Sequence, residues 1–434
     1  MYIKRSLEGI VRKYLAGPEY LSVIGARQAG KTTLLRHIYE TVENAAFLTF
    51  EDIQIRALFD EDIKSFIKLY VDPHRYLFID EFQYAKKGGQ ALKFIFDTVP
   101  GKKIIISGSS SLDLTVAAVE HLAGRLLSFN LFPLSFAEFL NFRNPALFQI
   151  RAESQGRLEE PVVDRLCPIL DEFIVYGGYP RVVLAGDDDE KRTILKNIFN
   201  IYLLRDVRDI LGLIDDYQLL ALIKALALQT GNVVSYQELG TIIQQKQLPL
   251  RKHLRFLEKT FILNFVKPFF SNKRTELVKN PKVYFVDSGL RNAVIGDFRP
   301  LEQRQDKGAL LENFHFSEFL KSGMDVKYWR TKAKAEVDFV IDDRIPVEIK
   351  SAMAKPVIGK SLHNYLEKYR PEEGFIFNDR LNETKKNGAT KVKFLRHFDD
   401  INQAKNLDKE IDAMVEEIYE AREKSKARKI TPKI

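Results

Sequence analysis

Two stretches of the chain hold residue types spaced for phosphate chemistry. Gly25, Ala26, Arg27, Gln28, Ala29, Gly30, Lys31 and Thr32 run in the order G-x-x-x-x-G-K-[ST], directly after an apolar run and at the opening of a helical one, the context this pattern requires. Gly25 and Gly30 let a loop bend around phosphates. Backbone N–H groups of the loop and of the following turn, through Thr33, are then free to bind phosphate oxygens. Lys31 reaches the β- and γ-phosphates, and Thr32 is placed to ligate magnesium. The second stretch, Tyr76-Leu-Phe-Ile-Asp-Glu81, is an apolar strand ending in two carboxylates. Asp80 is suited to hold the magnesium through its coordination sphere and Glu81 to polarise an attacking water.

Further groups extend this chemistry. Lys103-Ile-Ile-Ile-Ser-Gly-Ser-Ser110 ends another strand in hydroxyls, so Ser107 and Ser109 are candidates for sensing the γ-phosphate. Arg125, in Leu122-Ala-Gly-Arg125, is a candidate arginine finger that stabilises transition-state charge. Acting across a subunit boundary, it would require a homo-oligomer; as a surface or salt-bridge residue it would not.

Near the other end, Glu312, Asp338, Glu348 and Lys350 follow one another as Glu, Asp and Glu-x-Lys. On a strand, Glu348 and Lys350 share a face because side chains alternate. Asp338 from a neighbouring strand and Glu312 from the preceding helix would complete a magnesium site, with Glu336 as a substitute ligand and Lys350 neutralising developing charge. This order resembles the PD-(D/E)xK nuclease pattern; the alternative is a nuclease-like domain used for binding or packing. Tyr328 and Trp329 are either base-stacking or core residues. Between the two regions, Arg251, Lys252, Arg255 and Lys259 give one helix a basic side, with Arg251 and Arg255 one turn apart, as a helix contacting DNA needs. A solvated face is the plainer reading of the same charges.

These groups need elements to position them. Short apolar runs at residues 20–24, 46–50, 76–79 and 103–106 alternate with helical spacing at 32–40 and 90–99, which implies β-α units and a buried parallel sheet. Residues 161–234 read as helical, broken at Tyr176-Gly-Gly-Tyr-Pro180. A short helix at 235–243, capped by Ser235 with Glu238 three residues on, precedes a second at 250–260 after a turn at Pro249 and then the apolar stretch 261–266, which is winged-helix order. A charged linker at 299–307 leads to a helix at 308–321 and to strands at 337–341, 345–349 and 374–377. The expected domains are a P-loop ATPase at 1–150, a helical and winged-helix domain at 151–295, a small mixed α/β domain at 296–400 and a frayed basic tail at 401–434.

Composition sets limits. Cys167 is the only cysteine, which excludes an intramolecular disulfide and a cysteine-based zinc site and suggests a small buried apolar residue. No run of 18 apolar residues and no signal-peptide core is present, so a cytoplasmic protein without membrane contact is expected. A formal charge of +8 favours a polyanionic partner.

Taken together, the residues resemble the AAA+ family ATPases of bacteria and archaea that carry a domain of unknown function behind the ATPase core. The resemblance rests on the phosphate loop, Phe78-Ile-Asp-Glu-Phe-Gln83, Ser107-Gly-Ser-Ser110, Leu122-Ala-Gly-Arg125, Phe132-Pro-Leu-Ser-Phe-Ala-Glu-Phe139, Gly177-Gly-Tyr-Pro180 and Tyr202-Leu-Leu-Arg-Asp-Val207, and extends from Arg5 to about Lys350. It implies an α/β P-loop sheet that binds ATP and Mg2+, a winged-helix region and a restriction-endonuclease-like C-terminal fold. One departure, Ser107-Gly-Ser109 where threonine would come first, keeps the hydroxyl. The expected function is a magnesium-dependent ATPase coupled to a module acting on DNA. The alternative is a nucleotide-controlled switch whose C-terminal domain binds a protein partner and cuts nothing.

Overall fold

A computed structural model of the chain describes residues 1–108, 122–154, 158–200, 216–270, 272, 274, 276 and 279–401. Five strands form the first sheet: β1 (Tyr20–Gly25), β2 (Ala45–Thr49), β3 (Tyr76–Asp80), β4 (Lys103–Gly108) and β5 (Leu126–Leu131), in the order β2-β3-β4-β1-β5 and all parallel. β1 and β4 are buried along their whole length, as parallel strands covered on both faces must be. Because β1 and β3 are parallel and separated only by β4, their carboxyl ends bring residue 25 and residue 80 to one edge of the sheet.

Helices then follow at Phe136–Arg143, Pro145–Glu153, Glu160–Tyr176, Asp188–Asn197 and Asp216–Leu228. A helix at Tyr236–Ile242 is capped by Ser235, whose hydroxyl accepts the Glu238 N–H at 3.2 Å. The next helix spans Gln247–Lys259 and so begins ahead of Pro249. Pro249 sits in its first turn, where the missing N–H costs nothing, and is no turn between elements. β6 (Leu263–Val266) pairs antiparallel with β7 (Lys282–Phe285).

The last sheet contains β8 (Val326–Arg330), β9 (Glu336–Ile341), β10 (Ile345–Ile349), β11 (Glu373–Asn378), β12 (Glu383–Asn387) and β13 (Thr390–Arg396), in the order β12-β13-β11-β10-β9-β8. It is mixed: β10, β11 and β13 run parallel and the other pairings are antiparallel. The helix Lys307–Lys321 packs Phe316 and Phe319 on the side of Phe375 and Phe377, while Lys360–Tyr369 packs Leu362 and Tyr365 on the side of Ile376.

Residues 299–307 are not a free linker. The Arg304 guanidinium binds Asp306 at 2.9 Å and the Asp297 carbonyl at 2.5 Å, Arg291 binds Asp306 at 2.5 Å, and Leu301 is buried. The charges that read as solvated satisfy one another inside the fold. One apolar core likewise crosses the expected boundaries, joining Ala26 and Ala29, Phe136 and Phe139, the 160–176 helix, and Leu310, Leu311 and Phe314 of the 307–321 helix. Cys167 is only half-buried. Tyr202-Leu-Leu-Arg-Asp-Val207 and the 402–434 part of the tail lie outside the described residues, among which no helix is long and apolar enough to cross a membrane.

The joint between the modules is built on glycine. A Cβ at Gly178 would meet the Leu134 carbonyl at 2.3 Å, and one at Gly289 would meet the Tyr176 carbonyl at 2.0 Å. Gly308, in contrast, lies in a helix with nothing within 4 Å of the added carbon. Gly289→Ala should therefore lose at least about 2 kcal/mol of stability, since backbone blocks the new methyl, whereas Gly308→Ala should gain about 0.5–1 kcal/mol from helix propensity. Denaturant melts of both variants check this pair; equal midpoints would contradict it.

Candidate nucleotide site and acidic cluster

The loop after β1 has the backbone its sequence requires. Gly25 has no room for a side chain, because a Cβ would stand 2.0 Å from the Leu131 carbonyl on β5. Gln28 (φ 60) and Gly30 (φ 96) are left-handed, and Gly30 caps the helix Lys31–Tyr39. Such alternation turns successive N–H groups toward one concavity, which the helix N-terminus makes more favourable for anions. Lys31 is 5% exposed, and its ammonium donates to the Gly25 and Ala26 carbonyls at 3.0 and 2.9 Å. Burial pushes its pKa down to about 8, against the pull of the Glu81 and Asp80 carboxylates, with Arg27 adding to the lowering. Arg27 is half-buried, Gln28 and Thr33 are exposed, and Ala26 and Ala29 are fully buried.

Asp80 ends β3 at the same edge. Its carboxylate accepts the Thr32 hydroxyl at 2.7 Å through one oxygen and the Ser107 hydroxyl through the other. Thr32, Asp80 and Ser107 thus converge, and an oxygen pair of this kind fits a hard cation such as magnesium. Glu81 follows with a left-handed backbone (φ 53) that turns it out of the strand, and the Gln83 amide donates to its carboxylate. Ser109 lies outside the described residues.

Arg125 is not at this site. It precedes β5, its carbonyl accepts the Tyr20 N–H at 2.8 Å, and Tyr20 pairs with Leu126, so it stands at the opposite end of the sheet from Gly25. Five residues of strand separate the two ends, about 17 Å at the usual rise. Its guanidinium instead binds Asp97 at 2.8 Å over the Phe96 ring. At that end of the sheet Arg125 serves as a salt-bridge residue, the other of its two readings.

The C-terminal acids do gather, around a cation that the spacing did not reveal. Lys282 of β7 is 2% exposed, and its ammonium lies 3.0 Å from Glu312 and 2.6 Å from Glu336. Burial opposes its charge, but Glu312, Asp338 and Glu336 outweigh burial and hold the ammonium above the ordinary lysine range. Tyr284, one step along the same face of β7, donates its hydroxyl to Glu312. Asp338 accepts the Ile349 N–H at 2.8 Å, and Glu348 pairs with Lys350 at 3.1 Å. Burial raises the pKa of Glu312, Asp338 and Glu348 alike. Among the described residues no three His, Cys, Asp or Glu side chains are arranged to hold a metal ion. In this state Glu312 is held by Lys282 and Tyr284, Asp338 by the Ile349 N–H and Glu348 by Lys350. A lysine directly before the apolar run Val283-Tyr-Phe-Val286, on the face of Tyr284, was the available signal. Tyr328 and Trp329 are core residues, 4% exposed each; Tyr328 bonds the Asn280 carbonyl and Trp329 packs edge-on to Tyr365.

Arg251, Lys252, Arg255 and Lys259 are all exposed on the Gln247–Lys259 helix, whose Leu250, Leu254 and Leu257 are buried. Arg251 stacks over the Tyr236 ring at 4.8 Å, which braces one end of this basic face.

Comparison with known proteins agrees with the first sheet. Residues 18–140 match the AAA domain family, 168–301 a domain of unknown function (DUF8612) and 307–398 a second domain of unknown function (DUF4143). An uncharacterised protein of Haemophilus influenzae is 30% identical over 342 residues, which span 74% of this chain and 79% of the relative. An uncharacterised protein of Methanocaldococcus jannaschii is 26% identical over 337 residues, 75% of this chain and 72% of its own length. Among solved structures, the Walker-type ATPase of Pyrococcus abyssi is similar at 15% identity and a TM-score of 0.44, over 68% of this chain and 96% of that one.

The lowered Lys31 pKa has a measurable consequence. Above pH 8 the free protein loses the charge that anionic phosphates attract, so binding must also take up a proton. The dissociation constant for ATP should rise about eightfold between pH 7.5 and pH 9, as one proton taken up by a group with a free pKa of about 8 requires. A fluorescent-nucleotide titration at both pH values tests it, and constants within twofold of each other would contradict it.

Proposed function

The chain belongs to the same family as that Haemophilus influenzae protein and carries an AAA-type ATPase domain, and from this premise we propose that it hydrolyses ATP with magnesium and passes its nucleotide state to C-terminal modules that act on DNA. The observation that carries the coupling is the helix Lys307–Lys321. At one end Glu312 enters the acidic cluster. At the other, Glu318 accepts the Phe136 N–H at 3.0 Å and Lys321 donates to the Leu134 carbonyl at 2.9 Å, both just beyond β5. One rigid element thus touches the ATPase sheet and the C-terminal domain.

In this reading the loop N–H groups bind the β- and γ-phosphates, and Lys31 turns from the Gly25 and Ala26 carbonyls to phosphate oxygens. Thr32 and Asp80 hold the magnesium ion, which when bound neutralises phosphate charge. Glu81 polarises the attacking water, with Gln83 restraining its carboxylate, and Ser107 keeps Asp80 oriented. Helices Tyr236–Ile242 and Gln247–Lys259 with β6 and β7 serve as a winged helix, in which Arg251, Lys252 and Arg255 contact DNA phosphates.

Lys282 favours a second reading for the C-terminal domain, in which the nuclease-like sheet is silent and binds a partner. With Lys282 between Glu312 and Glu336, the site is charge-compensated from within, and removing one partner of such a buried pair costs about 3–5 kcal/mol.

One assay weighs both readings. ATP turnover should fall at least about 100-fold in Glu81→Gln, in line with loss of a water-positioning group, and double-stranded DNA should stimulate the wild type. Turnover indifferent to DNA would favour the protein-binding switch. Followed in the same tubes, the DNA should stay uncut with magnesium or manganese; cutting lost in Lys350→Ala would restore the nuclease reading.

A further inference from the structure

The phosphate loop is held from outside by a residue that precedes the first helix. Arg5 is 6% exposed and spends its guanidinium three ways: Nη1 donates to the Ala29 carbonyl at 2.8 Å, Nη2 to the Phe132 carbonyl at 2.6 Å, and Nε to Glu138 at 3.2 Å. Glu138 is itself fixed. It forms a capping box with Ser135, accepting the Ser135 N–H at 3.0 Å, and its other oxygen takes the Ser6 N–H at 2.7 Å. The strut therefore runs from the loop to the capped N-terminus of the Phe136–Arg143 helix.

Ala29 lies between the two left-handed residues of the loop, Gln28 and Gly30. In a trans peptide the carbonyl of Ala29 and the N–H of Gly30 point in opposite directions in one plane. Drawing the Ala29 oxygen toward Arg5 consequently turns the Gly30 N–H away from Arg5, to the inner side of the loop. Without that anchor the peptide before the left-handed Gly30 is free to rotate and lose that donor. The planar fork of arginine can bind two carbonyls and a carboxylate at once; a lysine ammonium on a flexible stem cannot hold that geometry.

We infer that Arg5 is a positioning residue for nucleotide binding, which sets the Gly30 N–H toward the phosphates by anchoring the Ala29 peptide to Glu138 and Phe132. The inference rests on the assignment of residues 25–32 as the nucleotide site. Because the loop donors bind phosphates shared by ATP and ADP, loss of the strut weakens both nucleotides by the same factor.

The test is titration of the full chain with fluorescent ATP and ADP analogues, in magnesium, well below the melting temperature. Arg5→Met, which keeps the stem and removes the fork, should raise both dissociation constants about tenfold, and Glu138→Gln, which keeps Arg5 but removes its charged anchor, about threefold, the sizes expected for losing and weakening one oriented donor. Val392→Ala, a destabilising change in the distant β13, should leave both constants within twofold of wild type. Arg5→Met binding as tightly as wild type overturns the inference, as does an equal loss in Val392→Ala, which would make the effect one of stability. If Arg5→Met does not fold, Glu138→Gln decides, and an unchanged constant there overturns it. A wild type that binds neither nucleotide would instead remove the nucleotide assignment itself.

Discussion

A single buried carboxylate ties the Gly177-Gly178 break to the helix that begins at Ser288. Asp287 accepts the Leu290 N–H at 2.9 Å, capping the Ser288–Ile295 helix, and with its other oxygen accepts the Gly178 N–H at 2.7 Å. Burial raises its pKa, while the backbone donors from Gly178, Leu290 and Gly289 favour its charged form. Around it, Gly177, Gly178 and Gly289 leave no room for a side chain, since a Cβ on any of them would stand within 2.3 Å of a neighbouring oxygen. Gly178 in turn accepts the Leu134 N–H at 2.7 Å, just after β5, and Pro180 packs 3.6 Å from where a Cβ on Gly30 would be. The phosphate loop, the helical region and the start of the C-terminal domain therefore meet within a few residues of one carboxylate.

Legibility in the sequence followed the physics of each element. β1, β3 and β4 announced themselves as apolar runs because parallel strands are buried on both faces. β5 did not, since it is an edge strand with only its last residue fully buried, and its mixed Leu126-Leu-Ser-Phe-Asn-Leu131 carries no clear period. The phosphate loop and the acids after β3 were legible because their chemistry depends on local order along the chain. Arg125 left two readings open, finger or salt-bridge residue, because neighbours in sequence give no sign of which end of the sheet it occupies. Arg304 and Asp306 read as part of a charged linker, and only the fold shows them bound to each other and to Arg291. The acidic cluster was half legible. Glu312, Asp338, Glu348 and Lys350 could be chosen by type and order, but Lys282 arrives from β7, 30 residues before Glu312, and pairing across that distance leaves no local pattern.

The 307–321 helix makes contact with both the acidic cluster and the ATPase domain. Asn313 binds both backbone groups of Phe285 at 2.7 and 3.1 Å and so fastens β7, with Lys282, to the helix that carries Glu312. The same helix ends against Leu134 and Phe136. Packed side chains run from Ala26 and Ala29 of the phosphate loop through Phe136 to Leu310 and Phe314 of this helix.

Hydrogen–deuterium exchange across residues 307–321, with and without a non-hydrolysable ATP analogue and magnesium, tests this coupling most directly. Protection that changes in that helix together with the phosphate loop is the predicted result. Protection confined to the loop, with the helix exchanging identically in both states, would contradict the account.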